Sequence, residues 1–136
     1  MPVVLDASVT ASWYFPDEAH PAATRALEIV RREGALVPQH WWFEILNAFL
    51  TGERRRRLSQ SGTAEAISLL ARLRIEHAPL PNHEPVLSLA RQHRLSLYDA
   101  VYLELAKRES LPLATLDGEL AAAAANAGVL VVGSAT

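Results

Sequence analysis

Four acidic residues of this chain stand where carboxylates could act together on a ligand. Asp6 ends the apolar run Val3–Leu5, and Asp117 follows a second short apolar run. Glu44 and Asp99 lie inside longer apolar stretches. Several carboxylates in one pocket would repel one another, and a divalent cation removes that repulsion. Because all the ligands would be oxygens, and the histidines form no pair at metal-ligand spacing, Mg²⁺ or Mn²⁺ is the expected ion rather than zinc.

Each acid also has an ordinary structural interpretation. Asp6 and Asp117 could cap the helices that follow them, because Asp is a preferred N-cap residue. Ser96 followed three residues later by Asp99 has the spacing of a capping box. Glu44 could belong to a polar stripe that meets water. The sequence therefore leaves both interpretations open for each acid. Only evidence that the four acids lie together in one site would favour a chemical role for them.

Glu44 is the acid that local structure explains least well. Apolar residues nearly encircle its predicted helix, so we expect that helix to be largely buried. A buried carboxylate must be paired, protonated or bound to a metal. Asn47, three residues later, and His40, four residues earlier, should lie on the same side of the helix.

Short β-rich runs alternate with longer helical ones along the chain. This pattern predicts a parallel sheet covered on both faces, with ligands bound beyond the carboxyl ends of its strands. Asp6 and Asp117 each follow a predicted strand, which places both at the same edge of the sheet. The predicted strands are 3–5, 35–37, 75–78, 112–115 and 129–132, and the predicted helices are 8–14, 20–33, 41 to about 56, 63–73, 85–93, 96–109 and 118–127.

Composition narrows the class of protein. The 136 residues are half hydrophobic and predict one soluble domain, 1–136. The net charge of −2 does not mark the whole surface as a nucleic-acid binder, so an anionic substrate would need a local basic patch or a bound metal. The absence of cysteine excludes thiolate chemistry and fits a cytoplasmic location. We see no signal peptide and no apolar run near the ~20 residues of a membrane span.

The acidic motifs resemble those of the PIN-domain nucleases, and more narrowly of the VapC-type toxins of toxin–antitoxin pairs. The resemblance covers nearly the whole chain, and four motifs in order are a much stronger signal than any one alone. The motifs are Val4-Leu5-Asp6-Ala7-Ser8, Phe43-Glu44-Ile45-Leu46-Asn47, Leu97-Tyr98-Asp99-Ala100-Val101-Tyr102-Leu103-Glu104-Leu105-Ala106, and Leu113-Ala114-Thr115-Leu116-Asp117 followed by Leu120.

The resemblance implies an α/β fold, a three-layer α/β/α sandwich around a central parallel sheet. It also implies an endoribonuclease that uses Mg²⁺ or Mn²⁺ and hydrolyses RNA by metal-activated water, leaving 5′-phosphate and 3′-hydroxyl ends. The implied partners are the RNA substrate, a cognate antitoxin and a second copy of the chain. The implied catalytic residues and metal ligands are Asp6, Glu44, Asp99 and Asp117, with Ser8, Asn47 and Thr115 orienting the carboxylates or water.

Two surface features have two interpretations each. The basic run Arg54, Arg55, Arg56 and Arg57 could hold RNA phosphates or could simply be a solvated helix end, where cations complement the helix dipole. The aromatic residues Trp41, Trp42 and Phe49 could pack in the core, or could line a groove for an antitoxin segment or a dimer partner.

Two functions other than RNA hydrolysis are compatible with part of this pattern. A haloacid-dehalogenase-like phosphatase or a receiver would also begin with an aspartate at the first strand end. The phosphatase pattern expects a second acid where Ser8 stands, and the only lysine, Lys107, lies in a predicted helix. A non-catalytic PIN-like module that binds RNA or protein is the second rival. The full set of acids argues against that module.

Overall fold

A four-stranded parallel sheet forms the centre of the molecule. The computed structural model describes residues 1–133, so the last three residues of the predicted domain lie outside the described part. The strands are β1 (Val3–Leu5), β2 (Ala35–Val37), β3 (Ile75–His77) and β4 (Leu113–Ala114), and their order across the sheet is β3-β2-β1-β4. Seven helices accompany them in this part of the chain: α1 (Ala7–Ser12), α2 (Pro21–Glu33), α3 (Trp41–Arg54), α4 (Gln60–Leu70), α5 (His83–His93), α6 (Leu97–Glu109) and α7 (Gly118–Asn126).

Strand β1 is an inner strand of the sheet, and its sequence explains that position. Val3, Val4 and Leu5 are completely buried, as expected for a strand covered on both faces of a parallel sheet. It pairs with β2 on one side and with β4 on the other, with Val4 opposite Leu36 and Leu113. Any residue directly after β1 is therefore at the middle of the sheet edge.

The order of the strands creates a crevice between β1 and β4. From β1 the chain moves outward to β2 and β3, then crosses back to place β4 on the other side of β1. Right-handed crossovers put α1 to α4 on one face of the sheet and α5 and α6 on the other. The contacts of α1 with α2 and α3, and of α6 with α5 and α7, agree with these two layers. Ligands of such folds bind beyond the strand ends at this reversal point.

Local signals fix the ends of the helices that matter for the site. The Ser96 hydroxyl accepts a hydrogen bond from the Asp99 amide at 3.1 Å and so starts α6. After α2, Gly34 adopts a φ of 85°, and a Cβ there would lie 3.0 Å from the Arg74 carbonyl oxygen. Glycine therefore both ends α2 and lets β2 begin immediately beside the segment that leads into β3.

The predicted three-layer α/β/α arrangement with a parallel sheet is confirmed, but several predicted bounds are wrong. The first helix ends at Ser12 instead of 14, the fourth at Leu70 instead of 73, and the fifth begins at His83 instead of 85. The predicted strand 129–132 is reduced to one bridge between Leu113 and Val131, because its partner β4 has only two residues. The fourth helix begins at Gln60 instead of 63, because the Ser59 hydroxyl caps it by accepting from the Gly62 amide at 3.0 Å. No helix among residues 1–133 has the length and apolarity to cross a membrane.

Candidate active site

Asp6 lies at the reversal point, buried at the carboxyl end of β1. Its Oδ2 atom accepts hydrogen bonds from the hydroxyls of Thr115 at 2.6 Å and Ser8 at 2.9 Å. Its position is that of the N-cap of α1, yet the carboxylate makes no capping hydrogen bond to the helix. Burial raises the pKa of Asp6, and the hydrogen bonds from Thr115 and Ser8 offset part of that rise. The capping interpretation of Asp6 therefore does not explain this carboxylate.

The two hydroxyls that hold Asp6 also join the ends of β1 and β4. Ser8 Oγ accepts from the Leu116 amide at 3.0 Å, and Thr115 Oγ1 accepts from the Asp117 amide at 3.0 Å. Each hydroxyl thus accepts a backbone hydrogen bond from the β4 side and donates its own hydrogen bond to Asp6. The network fixes the carboxylate and the start of the loop that carries Asp117 relative to each other.

Asp117 has the capping role that its position predicts. Its Oδ1 atom accepts from the amides of Glu119 at 2.9 Å and Leu120 at 3.1 Å, and so caps α7. Within residues 1–133 no hydrogen bond involves its second oxygen, and the side chain is half-buried. One oxygen can therefore hold the helix while the other remains available to a ligand.

The titration of Asp99 is strongly changed by its surroundings. It is half-buried in the first turn of α6. Burial, followed by the negative charges of Asp117, Asp6, Glu44 and Glu119, raises its pKa from 3.8 to about 6. Asp99 is therefore near the other three predicted acids, and their charges disfavour its ionisation.

Glu44 reaches the same site from the first turn of α3. Its side chain is 40% exposed, so the expected deep burial of this residue is wrong. The buried residues of α3 are Trp41, Ile45, Phe49 and Gly52. Its Oε1 atom accepts a hydrogen bond of 2.6 Å from the Tyr102 hydroxyl. Burial raises the pKa of Glu44, the Tyr102 hydrogen bond lowers it, and the charge of Asp6 raises it further.

His40 and Tyr102 surround the Glu44 carboxylate. His40 Nε2 lies 3.3 Å from Glu44 Oε1, and this buried nitrogen has no hydrogen-bond partner within the described chain. Burial lowers the pKa of His40, so the ring is largely neutral near pH 7. Burial and the charges of Asp6 and Glu44 raise the pKa of Tyr102 well above its usual range, so its phenol stays protonated and donates.

The four acids suit a hard divalent cation that keeps part of its water shell. No three acidic or histidine side chains among residues 1–133 are close enough to form a preassembled metal cage. The acids nevertheless raise one another's pKa values, which is the repulsion that a cation relieves. Mg²⁺ is usually bound directly by only one or two carboxylates and retains several waters, so a site for it does not require such a cage.

Two other groups of predicted site residues lie outside this cluster. Asn47 is exposed and takes part in no side-chain hydrogen bond among the described residues. In the basic run, Arg57 bonds Asp17 at 2.9 Å and Glu18 at 2.8 Å and lies 4.5 Å from the centre of the Phe15 ring. Its charge is therefore already paired within the protein. Arg54, Arg55 and Arg56 are exposed, and Arg54 is about 15 Å along α3 from Glu44, from ten residues at 1.5 Å each.

The aromatic residues of α3 belong mainly to the core. Trp41 and Phe49 are buried and Trp42 is partly buried, which confirms the core interpretation for these residues. Phe43 of the same helix is instead exposed and lines a groove of about 280 Å³ that also includes His40. The other exposed large hydrophobic residues of this groove are Leu80, Leu97 and Tyr98.

Tyr102 is the site residue that sequence reasoning missed. It was part of the third motif, but nothing in that motif distinguished a hydrogen-bonding tyrosine from a core one. The available signal was its position three residues after Asp99, because such residues share one face of a helix.

A family model and a curated protein that match this chain agree on one family. The model of the PIN domain matches residues 3–126. The curated protein Ribonuclease VapC3 of Pyrobaculum aerophilum is 31% identical over 127 residues, which cover 89% of this chain and 93% of that protein.

Solved structures show the same fold. The crystal structure of PAE2754 from Pyrobaculum aerophilum superposes with a TM-score of 0.72 at 25% identity, covering 97% of this chain and 92% of that one. A toxin–antitoxin complex from Klebsiella pneumoniae gives a TM-score of 0.59 at 18% identity, covering 88% and 90%. The chain therefore belongs to the PIN-domain family, among the VapC ribonucleases.

Proposed function

We propose that this protein is the toxin of a toxin–antitoxin pair and an endoribonuclease that requires Mg²⁺ or Mn²⁺. The observation that carries the proposal is the hydrogen-bonded cluster at the sheet edge, where Ser8 and Thr115 hold the Asp6 carboxylate beside the loop that carries Asp117. The negative charges of Asp6, Glu44 and Asp117 also act on Asp99, so the four acids come together from different elements. These four acids would hold the cation. The relationship to Ribonuclease VapC3 supports RNA as the substrate.

In this proposal the protein positions groups around the scissile phosphate. Ser8 and Thr115 fix the Asp6 carboxylate, and Asp117 is fixed by the helix that it caps. The bound ion would supply an ionised water and stabilise the added negative charge. Water attack breaks the bond to the 3′-oxygen, leaving 5′-phosphate and 3′-hydroxyl products. One of the acids would accept the proton of the attacking water.

The direct test is cleavage of end-labelled structured RNA with Mn²⁺, with Mg²⁺ and with EDTA. We expect metal-dependent products with 5′-phosphates, lost in Asp6→Asn and kept in Asp17→Asn, a matched change at an exposed acid that pairs with Arg57. A single 2′-deoxy substitution at the cut site should not stop cleavage, because water is the nucleophile. Products with 2′,3′-cyclic phosphates would refute the hydrolytic mechanism.

The alternative is a PIN-like module that binds RNA or protein without cutting. Metal-dependent cleavage that is lost in Asp99→Asn would exclude this alternative. RNA binding without cleavage under any metal would support it, provided that the purified protein contains no inhibitory partner.

The exposed arginines are proposed to hold RNA phosphates. Charge reversal of Arg55 and Arg56 to Glu should weaken RNA binding and reduce its salt dependence by about one unit of slope per lost phosphate contact. The matched control is reversal of Arg31 and Arg32, two exposed arginines at the end of α2. An equal effect of both pairs would show only a general charge effect.

A homodimer and a cognate antitoxin are the proposed protein partners. The exposed apolar groove around Leu80 supports an interface, because such patches mark sites of protein association. Light scattering at micromolar concentration should show a dimer that Leu80→Ser weakens and Leu130→Ser, at another exposed leucine, does not. A monomer at that concentration would exclude the dimer.

The antitoxin proposal draws on the complex from Klebsiella pneumoniae, and a co-purifying partner that suppresses cleavage would support it.

A further inference from the structure

The hydroxyl of Tyr102 connects two of the elements that supply acids. Tyr102 is completely buried on α6, three residues after Asp99, and so faces the same side of that helix. Its hydroxyl donates to Glu44 Oε1 on α3 at 2.6 Å. Helix α6 thus contributes one acid directly and one hydroxyl that reaches the acid of another helix.

Glu44 needs such a contact to have a defined orientation. Its side chain is 40% exposed, and a long exposed carboxylate side chain samples several rotamers. The Tyr102 hydroxyl occupies Oε1, while Oε2 accepts no hydrogen bond within residues 1–133. The contact therefore selects one orientation and leaves Oε2 as the oxygen available to a cation.

The ring of Tyr102 is itself held in place. His40 packs against it edge-on, with ring centres 4.9 Å apart. The hydroxyl is consequently held beside α3, because both Glu44 and the residue before that helix, His40, contact Tyr102. This is what an orienting group requires.

We propose that Tyr102 is a positioning residue that holds Glu44 with Oε2 directed at the cation site. It acts through Glu44 and contacts neither RNA nor the ion. This inference rests on the proposed function, since it takes Glu44 as a ligand of the divalent ion.

The test is the affinity of the full chain for Mn²⁺, measured by titration calorimetry without RNA. Tyr102→Phe keeps the ring and removes only the hydroxyl, and we expect Mn²⁺ binding to weaken by about 10- to 100-fold. Tyr14→Phe is the matched control, because Tyr14 is partly buried and packs on Phe49; its affinity should not change. In a Glu44→Gln background, adding Tyr102→Phe should have no further effect.

A second variant keeps the inference testable if Tyr102→Phe does not fold. Glu44→Asp retains the charge and the tyrosine but shortens the side chain by one carbon–carbon bond, so one carboxylate cannot reach both the hydroxyl and the ion. It should also weaken Mn²⁺ binding at least 10-fold.

The outcomes separate this inference from the proposed function. Wild-type or tighter Mn²⁺ binding in Tyr102→Phe, together with loss of binding in Asp6→Asn, would overturn the role of Tyr102 and leave the metal site intact. Unchanged affinity in Glu44→Asp would do the same. No Mn²⁺ binding by the wild-type protein would overturn both proposals.

Discussion

Replacing Asp99 by asparagine should stabilise the metal-free protein while abolishing its cleavage of RNA. Burial and four neighbouring negative charges raise the pKa of Asp99 from 3.8 to about 6. The folded protein therefore keeps this proton up to about pH 6, whereas the unfolded chain releases it near pH 3.8. It follows that the wild type loses stability as the pH rises through this interval, and asparagine, which has no charge, does not.

The size of the effect follows from the change in pKa. About 1.4 kcal/mol per pKa unit gives an upper value of roughly 3 kcal/mol. Because Asp99 is only half-buried, solvent screening reduces this to roughly 1–2 kcal/mol. With an unfolding entropy of about 2.1 cal/mol/K per residue, the melting temperature at pH 7.5 should rise by about 3–7 °C.

The assay is thermal unfolding in EDTA at several pH values between 4 and 8. The difference between Asp99→Asn and the wild type should disappear near pH 4 and shrink at high salt. Glu84→Gln, a change at an exposed acid in the first turn of α5, should give no such rise. With excess Mn²⁺ the order should reverse, because the ion stabilises only the protein that binds it. An Asp99→Asn protein no more stable than the wild type at pH 7.5 would refute the reasoning.

Two further substitutions test the support of the site and of the fold. Thr115→Val removes the hydroxyl that donates to Asp6 at 2.6 Å, so kcat/KM for RNA should fall about 10- to 100-fold. Thr115→Ser keeps a hydroxyl, and its kcat/KM should stay near that of the wild type. Equal losses in the two variants would show that the hydroxyl does not matter. Gly52→Ala places a Cβ 2.5 Å from the buried Phe15 ring and should lower the free energy of unfolding by about 1–3 kcal/mol. A Cβ at Gly118 would have no atom within 4 Å, so Gly118→Ala should change this free energy little. Equal melting temperatures of the two variants would contradict this packing argument.

The candidate site could be predicted in part, because several of its features are local. Strand β1 and the acid that follows it are visible as an apolar run ending in Asp6. The capping roles of Ser96 and Asp117 depend on residues two or three positions away, and the structure confirms both. Whether the four acids act as catalytic residues and metal ligands stays a prediction.

The sequence by itself determined the alternating strands and helices, the parallel sheet and the family, since periodicity, caps and ordered motifs are short-range or linear signals. Only the tertiary structure decided which side chains meet. Tyr102 reaches Glu44 across 58 positions, Thr115 reaches Asp6 across 109, and Arg57 is paired with an acid 40 positions away. Such contacts depend on strand order and helix packing, which bring distant residues together by burying apolar surface. The residues next to either partner in the sequence do not indicate that the contact will form.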